Sequence, residues 1–390
     1  MFERNVAFVL SKRLKEPRRF IQVVSGPRQT GKTTAIKQAV KAASVPFRVS
    51  SADEAASRGT EWIETEWNLA RSLARSGSPA VLVLDEIQKV EQWSTVVKRL
   101  WDEDSWDDIP LHVVVSGSSS LLIQKGLSES LMGRFELLRS THWSYSEMSE
   151  AFGYSFDDYL RFGGYPGSAF LKDDPERWRM YMRDSIIEAS LSKDVLQLED
   201  VRKPALLKRL FELGAQYSSQ EISFRSLLGQ LDDRGNTATM AHYLDLLTSA
   251  GLLTGLQKYE DKPIKSRKSS PRLMLFDPSL MTASWEGPND LLADSASRGH
   301  LVETAVGATL LARAAQERFD LMWWRDGDLE VDFVVRKGAA VSAIEVKSGK
   351  VGRTDGLAAF CSRHPKARPL VVGDRNLSVE AFLRDAPDLF

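Results

Sequence analysis

The chain has 390 residues, 43% hydrophobic and 27% charged, with a formal net charge of −1. This is ordinary for a soluble globular protein of two to four domains at about 100–200 residues each; it excludes a globally basic nucleic-acid binder, so any such surface is local. No apolar run reaches the roughly 18 residues of a membrane span, the N-terminal stretch lacks the apolar core of a secretory signal, and a lone Cys361 forms no internal disulfide, so a cytoplasmic location without membrane partners is expected.

In chain order, FIQVVS (20–25) reads as a buried strand. GPRQTGKTT follows, then a helical stretch, AIKQAVKAA. AVLVLD (80–85) and LHVVVS (111–116) are further buried strands. Near-continuous apolar runs alternating with helical segments predict a parallel sheet covered on both faces. From about 144 to 200 the pattern is helical, broken at GGYPG (163–167). Residues 204–260 hold three short helices and the strand LLTGLQKY, which returns through RLMLFD (272–277). Three helices and a hairpin describe a winged helix. A helix from about 298 then precedes three strands within 321–349 and a later one, PLVVG (369–373). The predicted domains are 1–143, a P-loop core; 144–203, a helical lid or linker; 204–295, the winged helix; and 296–390, a small α/β domain.

The first of these carries a phosphate site. GPRQTGKT (26–33) fits G-x-x-x-x-G-K-[ST] between a strand and a helix. Gly26, Pro27, Arg28, Gln29, Thr30 and Gly31 surround the phosphates, all but the proline turning backbone N–H groups toward them, with the positive end of the helix dipole behind. Lys32 would reach the β- and γ-phosphates of ATP, Thr33 would help hold Mg²⁺, and Thr34 completes the loop's binding set. In LVLDEIQ (82–88), Asp85 ends a strand near the metal and Glu86 can orient or deprotonate the attacking water. Ser116 or Ser118, after the third strand, can meet the γ-phosphate or simply belong to a serine-rich loop.

SLMGRFELL (130–138) resembles the region of AAA+ ATPases that carries the arginine finger. That resemblance makes Arg134 the candidate finger, reaching a neighbouring subunit's γ-phosphate in a homo-oligomer such as a ring. The alternative is a surface arginine in an ordinary ion pair. The hairpin carries Lys258, Lys262, Lys265, Arg267, Lys268 and Arg272. Such a patch supplies sequence-independent affinity for DNA phosphates, unless it is a solvated loop or a protein-binding surface.

In the last domain Asp332 (LEVDFVV) lies one strand before Glu345 and Lys347 (IEVK). Residues two apart on a strand share a face. Asp332 and Glu345 can therefore converge on one divalent metal, and Lys347 can polarise a scissile phosphate. Glu303 shares a helix stripe with Gly307 and Leu310 and points inward. The bland reading is an ion pair on an amphipathic strand. The four positions Glu303, Asp332, Glu345 and Lys347 resemble the PD-(D/E)xK nuclease superfamily, in the branch where a helix glutamate precedes the Asp and the E-x-K, as in archaeal Holliday-junction resolvases.

The complete order is GPRQTGKTT, DEIQ, GR, WSYSEM, GGYP, SKDV, the winged helix, LFDPSL, EVDF and IEVK. It resembles bacterial and archaeal ATP-binding proteins that join an AAA-family P-loop domain to a C-terminal domain of unknown function. The resemblance implies an α/β fold: an AAA-type parallel-sheet domain with a helical lid, then a winged helix and a restriction-endonuclease-like domain. It implies ATP binding and hydrolysis with Mg²⁺. Two functions follow. One is an ATPase that remodels or processes DNA, with nuclease activity left open. The other is a nucleotide-gated switch whose C-terminal domain is a non-catalytic DNA- or protein-binding module.

Overall fold

The computed structural model describes all residues except 1, 55–58, 75–77, 118–126, 128–129, 197–200, 223–225, 228, 230–236, 261–269, 288–289, 350–353 and 374–376. The chain divides into two compact units, Met1–Thr141 and His142–Phe390.

The first unit contains α1 (Asn5–Leu14), β1 (Ile21–Ser25), α2 (Lys32–Ala43), β2 (Phe47–Ser51), α3 (Glu61–Ala74), β3 (Ala80–Asp85), α4 (Trp93–Trp106), β4 (Leu111–Gly117) and β5 (Phe135–Arg139). Its five strands lie in the order β2-β3-β4-β1-β5, all parallel. Every residue of β1, β3 and β4 is buried. That follows from cover on both faces. Leu10 and Leu14 of α1 and Ile36, Ala39 and Val40 of α2 pack on Val24, Val81, Val83 and Val114. Trp62 and Trp67 of α3 and Trp93, Val97 and Trp101 of α4 pack on the opposite face, against Val23, Leu82 and Val113. Each fully buried large side chain here contributes on the order of 2–3 kcal/mol of transfer free energy. A fully buried charged group in that layer, Asp104, is paired: it accepts from Trp67 Nε1 at 2.8 Å and from Arg71 Nε at 2.5 Å.

The second unit begins with α5 (Tyr145–Phe152) and α6 (Phe156–Phe162). Reciprocal bonds between Ser144 and Glu147, and between Ser155 and Asp158, start these helices. α7 (Pro175–Tyr181) starts at a capping Asp174 and continues in wide π turns to Leu196. Then come α8 (Pro204–Gln216), α9 (Thr237–Ser249), β6 (Leu253–Lys258), β7 (Arg272–Leu275), α10 (Pro278–Ser284), α11 (Ser295–Glu317), β8 (Asp320–Asp326), β9 (Leu329–Lys337), β10 (Ala340–Val346), α12 (Asp355–Arg363), β11 (Arg368–Val372) and α13 (Val379–Asp385).

Six strands form one mixed sheet in the order β11-β10-β9-β8-β6-β7. Phe360 and Leu357 of α12 pack on Trp324, Val331 and Val334 on one face. α11 lies close to β7 and β9, where a Cβ on Gly307 would meet Met274 Sδ at 2.5 Å and Phe333 Cζ at 3.0 Å.

Two features differ from the segmentation expected from sequence. The described strands of the β6–β7 hairpin are built into the second unit's sheet. β6 pairs in parallel with β8, Gln257 opposite Met322 and Lys258 opposite Trp323, and Trp323 Nε1 donates to Leu256 O at 3.1 Å. Hydrogen bonds therefore cross the expected boundary at 295/296. The physical reason is that β8 would otherwise be an open sheet edge. The segment expected as a lid is also built into the second unit. Tyr145 Oη of α5 donates to Glu380 Oε1 of α13 at 2.9 Å and accepts from Arg384 Nη2 at 2.7 Å. Of the expected three-helix set, α8 and α9 are present. The middle helix, 223–231, lies largely outside the described residues. Trp323 and Trp324 are buried and pack in the second unit's core. Among the described residues no helix is long and apolar enough to cross a membrane.

Candidate nucleotide site and C-terminal acidic centre

Residues 26–31 form the turn between β1 and α2, and Lys32, Thr33 and Thr34 open the helix. Gln29 and Gly31 adopt positive φ, 59° and 80°. The second is the conformation glycine takes without a Cβ penalty. Gly26 is fixed by close approach: an added Cβ would stand 1.8 Å from Ser140 O. The loop is braced by Arg4, a residue the motif does not contain. It is 6% exposed and donates to Thr30 O (3.2 Å), Thr141 O (3.0 Å) and Ser140 Oγ (3.2 Å). Thr30 Oγ1 donates to Pro27 O at 3.0 Å. Nothing in the sequence near the motif announces Arg4 or Ser140, because both arrive from distant strand and helix ends.

The Lys32 ammonium donates to Gly26 O at 2.9 Å and Pro27 O at 2.6 Å. It is thereby held over the mouth of the loop. Thr33 Oγ1 donates to Asp85 Oδ2 at 2.8 Å, and Ser116 Oγ donates to Asp85 Oδ1 at 2.5 Å. The start of α2 and the C-terminal ends of β3 and β4 thus deliver one continuous polar chain. A hydroxyl and a carboxylate side by side are hard oxygen donors of the kind Mg²⁺ takes, so this donor set fits the ion. Glu86 follows Asp85 at φ 53°. Its carboxylate accepts from Gln88 Nε2 at 2.8 Å and lies 4.0 Å from Lys89 Nζ. The structure brings Thr33, Asp85 and Ser116 together; Ser118 lies outside the described residues.

Arg134 precedes β5, and its carbonyl accepts from Ile21 N at 2.8 Å. It therefore sits at the N-terminal end of the parallel sheet, opposite its own P-loop. Its guanidinium makes a two-pronged contact with Asp102, 2.8 and 3.1 Å.

In the second unit Glu303 (α11), Asp332 (β9), Glu345 (β10) and Lys347, just after β10, lie in one cluster. Antiparallel pairing of Ile344 with Phe333 sets Glu345 across from Asp332, and Val346 N donates to Asp332 Oδ2 at 2.7 Å. Lys347 Nζ lies 2.5 Å from Glu345 Oε1. Glu345 Oε2 is buried without a hydrogen-bond partner among the described residues. Two further residues join them. Glu330, two positions before Asp332 and on the same strand face, was legible by the same rule that singles out Glu345 and Lys347. Arg272 was placed by sequence reasoning in the DNA-contacting patch, and the structure corrects this. It is 5% exposed, and its guanidinium is spent internally. Nη2 lies 2.8 Å from Glu303 Oε1 and 2.7 Å from Glu330 Oε1. Nη1 donates to Asp332 O at 2.9 Å and lies 3.7 Å from Asp332 Oδ1, and Nε donates to Ser219 O at 2.7 Å. No phosphate backbone can reach it.

Burial raises the carboxyl groups of this centre: Glu303 up to about 8, Glu345 up to about 7, with Asp332 also raised, the nearby cations opposing the shift in each case. Burial would lower Arg272, but Glu303, Asp332, Glu330 and Glu345 outweigh it and hold its pKa above the usual value. Four carboxyls, Glu345 buried and Glu303, Glu330 and Asp332 half-buried, face two cations, Arg272 and Lys347. Among the described residues no three His, Cys, Asp or Glu side chains are arranged to hold a metal ion. Glu303 and Asp332, expected as metal ligands with Glu345, lie against the Arg272 guanidinium. Of the expected basic hairpin patch, Lys258 pairs with Glu260 at 3.3 Å, and Lys262, Lys265, Arg267 and Lys268 lie outside the described residues.

Residues 18–149 match the family model described as an AAA domain. Residues 153–289 and 298–382 match two domains of unknown function, DUF8612 and DUF4143. The uncharacterized protein Rv2008c of Mycobacterium tuberculosis is 29% identical over 333 residues, 84% of this chain and 70% of that protein. The uncharacterized protein MJ1544 of Methanocaldococcus jannaschii is 25% identical over 276 residues, 65% of this chain and 58% of that protein. The fold is similar to that of the Walker-type ATPase PABY2304 of Pyrococcus abyssi, with a TM-score of 0.51 and 13% identity over 73% of this chain and 96% of that one. The chain thus carries an α/β P-loop core of AAA type.

Proposed function

We propose that this chain binds ATP with Mg²⁺ at residues 26–34, hydrolyses it, and uses the nucleotide cycle to remodel DNA. The observation that carries the first part is the polar chain Thr33–Asp85–Ser116 beside Lys32. Thr33 and Asp85 would hold the ion, which when bound neutralises charge on the β- and γ-phosphates. The Lys32 ammonium exchanges loop carbonyls for phosphate oxygens. Glu86, oriented by Gln88, takes a proton from the attacking water. Support for DNA as the partner is the run of Lys262, Lys265, Arg267 and Lys268 between two strands anchored in the second sheet.

ATP turnover measured with and without linear, forked and four-way DNA, beside Lys32→Ala, tests this reading. It expects turnover that rises severalfold with at least one DNA and is lost in Lys32→Ala. Absence of nucleotide binding by the wild type would refute the first part. A flat response to every DNA would favour the second reading, a nucleotide-gated switch with a non-catalytic C-terminal module. That alternative is supported by Arg272, which lies among the carboxylates a nuclease would use.

A further inference from the structure

We infer that the guanidinium of Arg272 is the resident cation of the C-terminal acidic centre, standing where a divalent metal would stand between Glu303 and Asp332, so that the centre is metal-free and does not cut phosphodiesters. The inference is independent of the nucleotide reading.

The contact geometry is the first support. All three guanidinium nitrogens are engaged: Nε on Ser219 O, Nη1 on Asp332 O, and Nη2 on Glu303 and Glu330. This is the planar, multi-donor fork that arginine presents and lysine does not. A hard divalent ion such as Mg²⁺ asks for about six oxygens near 2.1 Å in octahedral array. The oxygens of Glu303 and Glu330 point instead at a nitrogen 2.7–2.8 Å away. Among the described residues of the centre, Glu303 Oε1 and Glu345 Oε2 accept no hydrogen bond; the first lies against Arg272 Nη2, which leaves Glu345 Oε2 as a single ligand. Two positive centres in one buried space also repel, so an incoming ion would have to expel Arg272 and leave it buried and unpaired.

The fold explains why Arg272 is there. It opens β7, the outermost strand of the sheet, and bridges to Glu221. Its side chain reaches Glu330 and Asp332 on β9 and Glu303 on α11. A carboxylate cluster of nuclease pattern therefore serves to anchor the β6–β7 hairpin, and with it the root of the basic tip.

The test is Mn²⁺ binding by the nucleotide-free full chain, read by paramagnetic resonance, in wild type, Asp332→Asn, Arg272→Gln and Arg272→Gln/Asp332→Asn. Fold is checked by circular dichroism. The inference expects wild type and Asp332→Asn to bind Mn²⁺ alike. It expects Arg272→Gln to gain one site, at least tenfold tighter than anything in wild type and lost again in the double variant. A wild-type site that disappears in Asp332→Asn overturns it, as does a folded Arg272→Gln that gains none. Should Arg272→Gln not fold, wild type decides through two readings, Mn²⁺ binding against Asp332→Asn and Mg²⁺-dependent nicking of four-way DNA. Absence of both supports the inference, and presence of either, if abolished by Asp332→Asn, overturns it.

Discussion

Gly26 and Glu86 separate two roles within the nucleotide site. A methyl at residue 26 would lie 1.8 Å from the Ser140 carbonyl. That contact is with backbone, which cannot swing aside as a flexible side chain would. Gly26→Ala is expected to displace the loop, destabilise the chain by about 1–3 kcal/mol in urea melts, and weaken ATP binding more than tenfold. Glu86→Gln keeps shape and the Gln88 neighbour but loses the base. It is expected to bind ATP within about threefold of wild type while turnover drops by roughly 10²-fold or more. A variant that loses both together would place Glu86 in binding and not in proton transfer. The P-loop residues were legible because phosphate chemistry dictates residue type at fixed short spacing. Arg272 was misread for the opposite reason. Its partners are 31, 58 and 60 positions away, at Glu303, Glu330 and Asp332, and an arginine beside a lysine-rich loop has the same local sequence whether it faces water or four carboxylates.

The GGYP and LFDPSL segments were visible in the sequence as motifs without a role, and the elements they belong to supply one. Asp277 caps α10, accepting from Ser279 N at 3.0 Å, and reaches across to accept from Gly164 N at 2.8 Å. A Cβ on Gly163 would stand 1.9 Å from Asp277 Oδ1, and one on Gly164 would stand 2.2 Å from Trp143 O. The two glycines let the α6 terminus lie against the α10 cap, a pairing over 113 residues that no local pattern encodes. Burial pushes the Asp277 carboxyl up to about 6, against the pull of its hydrogen bonds from Ser279 and Gly164. A folded pKa above the unfolded one means that the folded chain holds a proton the unfolded chain has released. This contribution to stability is full below about pH 4 and is lost as pH rises through about 6. A shift of some two units corresponds to about 3 kcal/mol. The stability of wild type minus that of Asp277→Asn, from urea melts, is therefore expected to fall by on the order of 2–3 kcal/mol between about pH 4 and 7.5. A flat difference would mean that Asp277 does not titrate in this range. The same dependence on long-range pairing hid the β6–β7 hairpin's place in the sheet: alternation and turn residues show that a hairpin exists, but not that β8 takes it as a neighbour.

For the molecule as a whole, the central strands β1, β3 and β4 and the motifs that follow them were readable because a parallel sheet needs apolar runs separated by helices, whereas the edge strands β2 and β5, mostly half-exposed, carry no such run. Assembly was expected only through the resemblance at Arg134, and that residue is the one on which it can be tested. It lies at the end of the sheet opposite its own P-loop, so β1 alone, at five residues, separates the two by about 16 Å. A finger at that position cannot serve its own γ-phosphate and acts only on a neighbour, in a head-to-tail contact of the kind that closes rings. Its present partner is no obstacle, since both side chains of the Arg134–Asp102 pair are about one-third exposed, and such pairs contribute at most about 1 kcal/mol. Two inactive proteins then rescue each other. Lys32→Ala retains the finger and loses the phosphate site, while Arg134→Ala retains the site and loses the finger. After subunit exchange in an equal mixture, random neighbours place an intact site beside an intact finger at about one interface in four, so ATPase per subunit is expected to recover to roughly a quarter of wild type. A mixture as inactive as its components, from proteins shown to co-assemble, would return Arg134 to the role of an ordinary partner of Asp102.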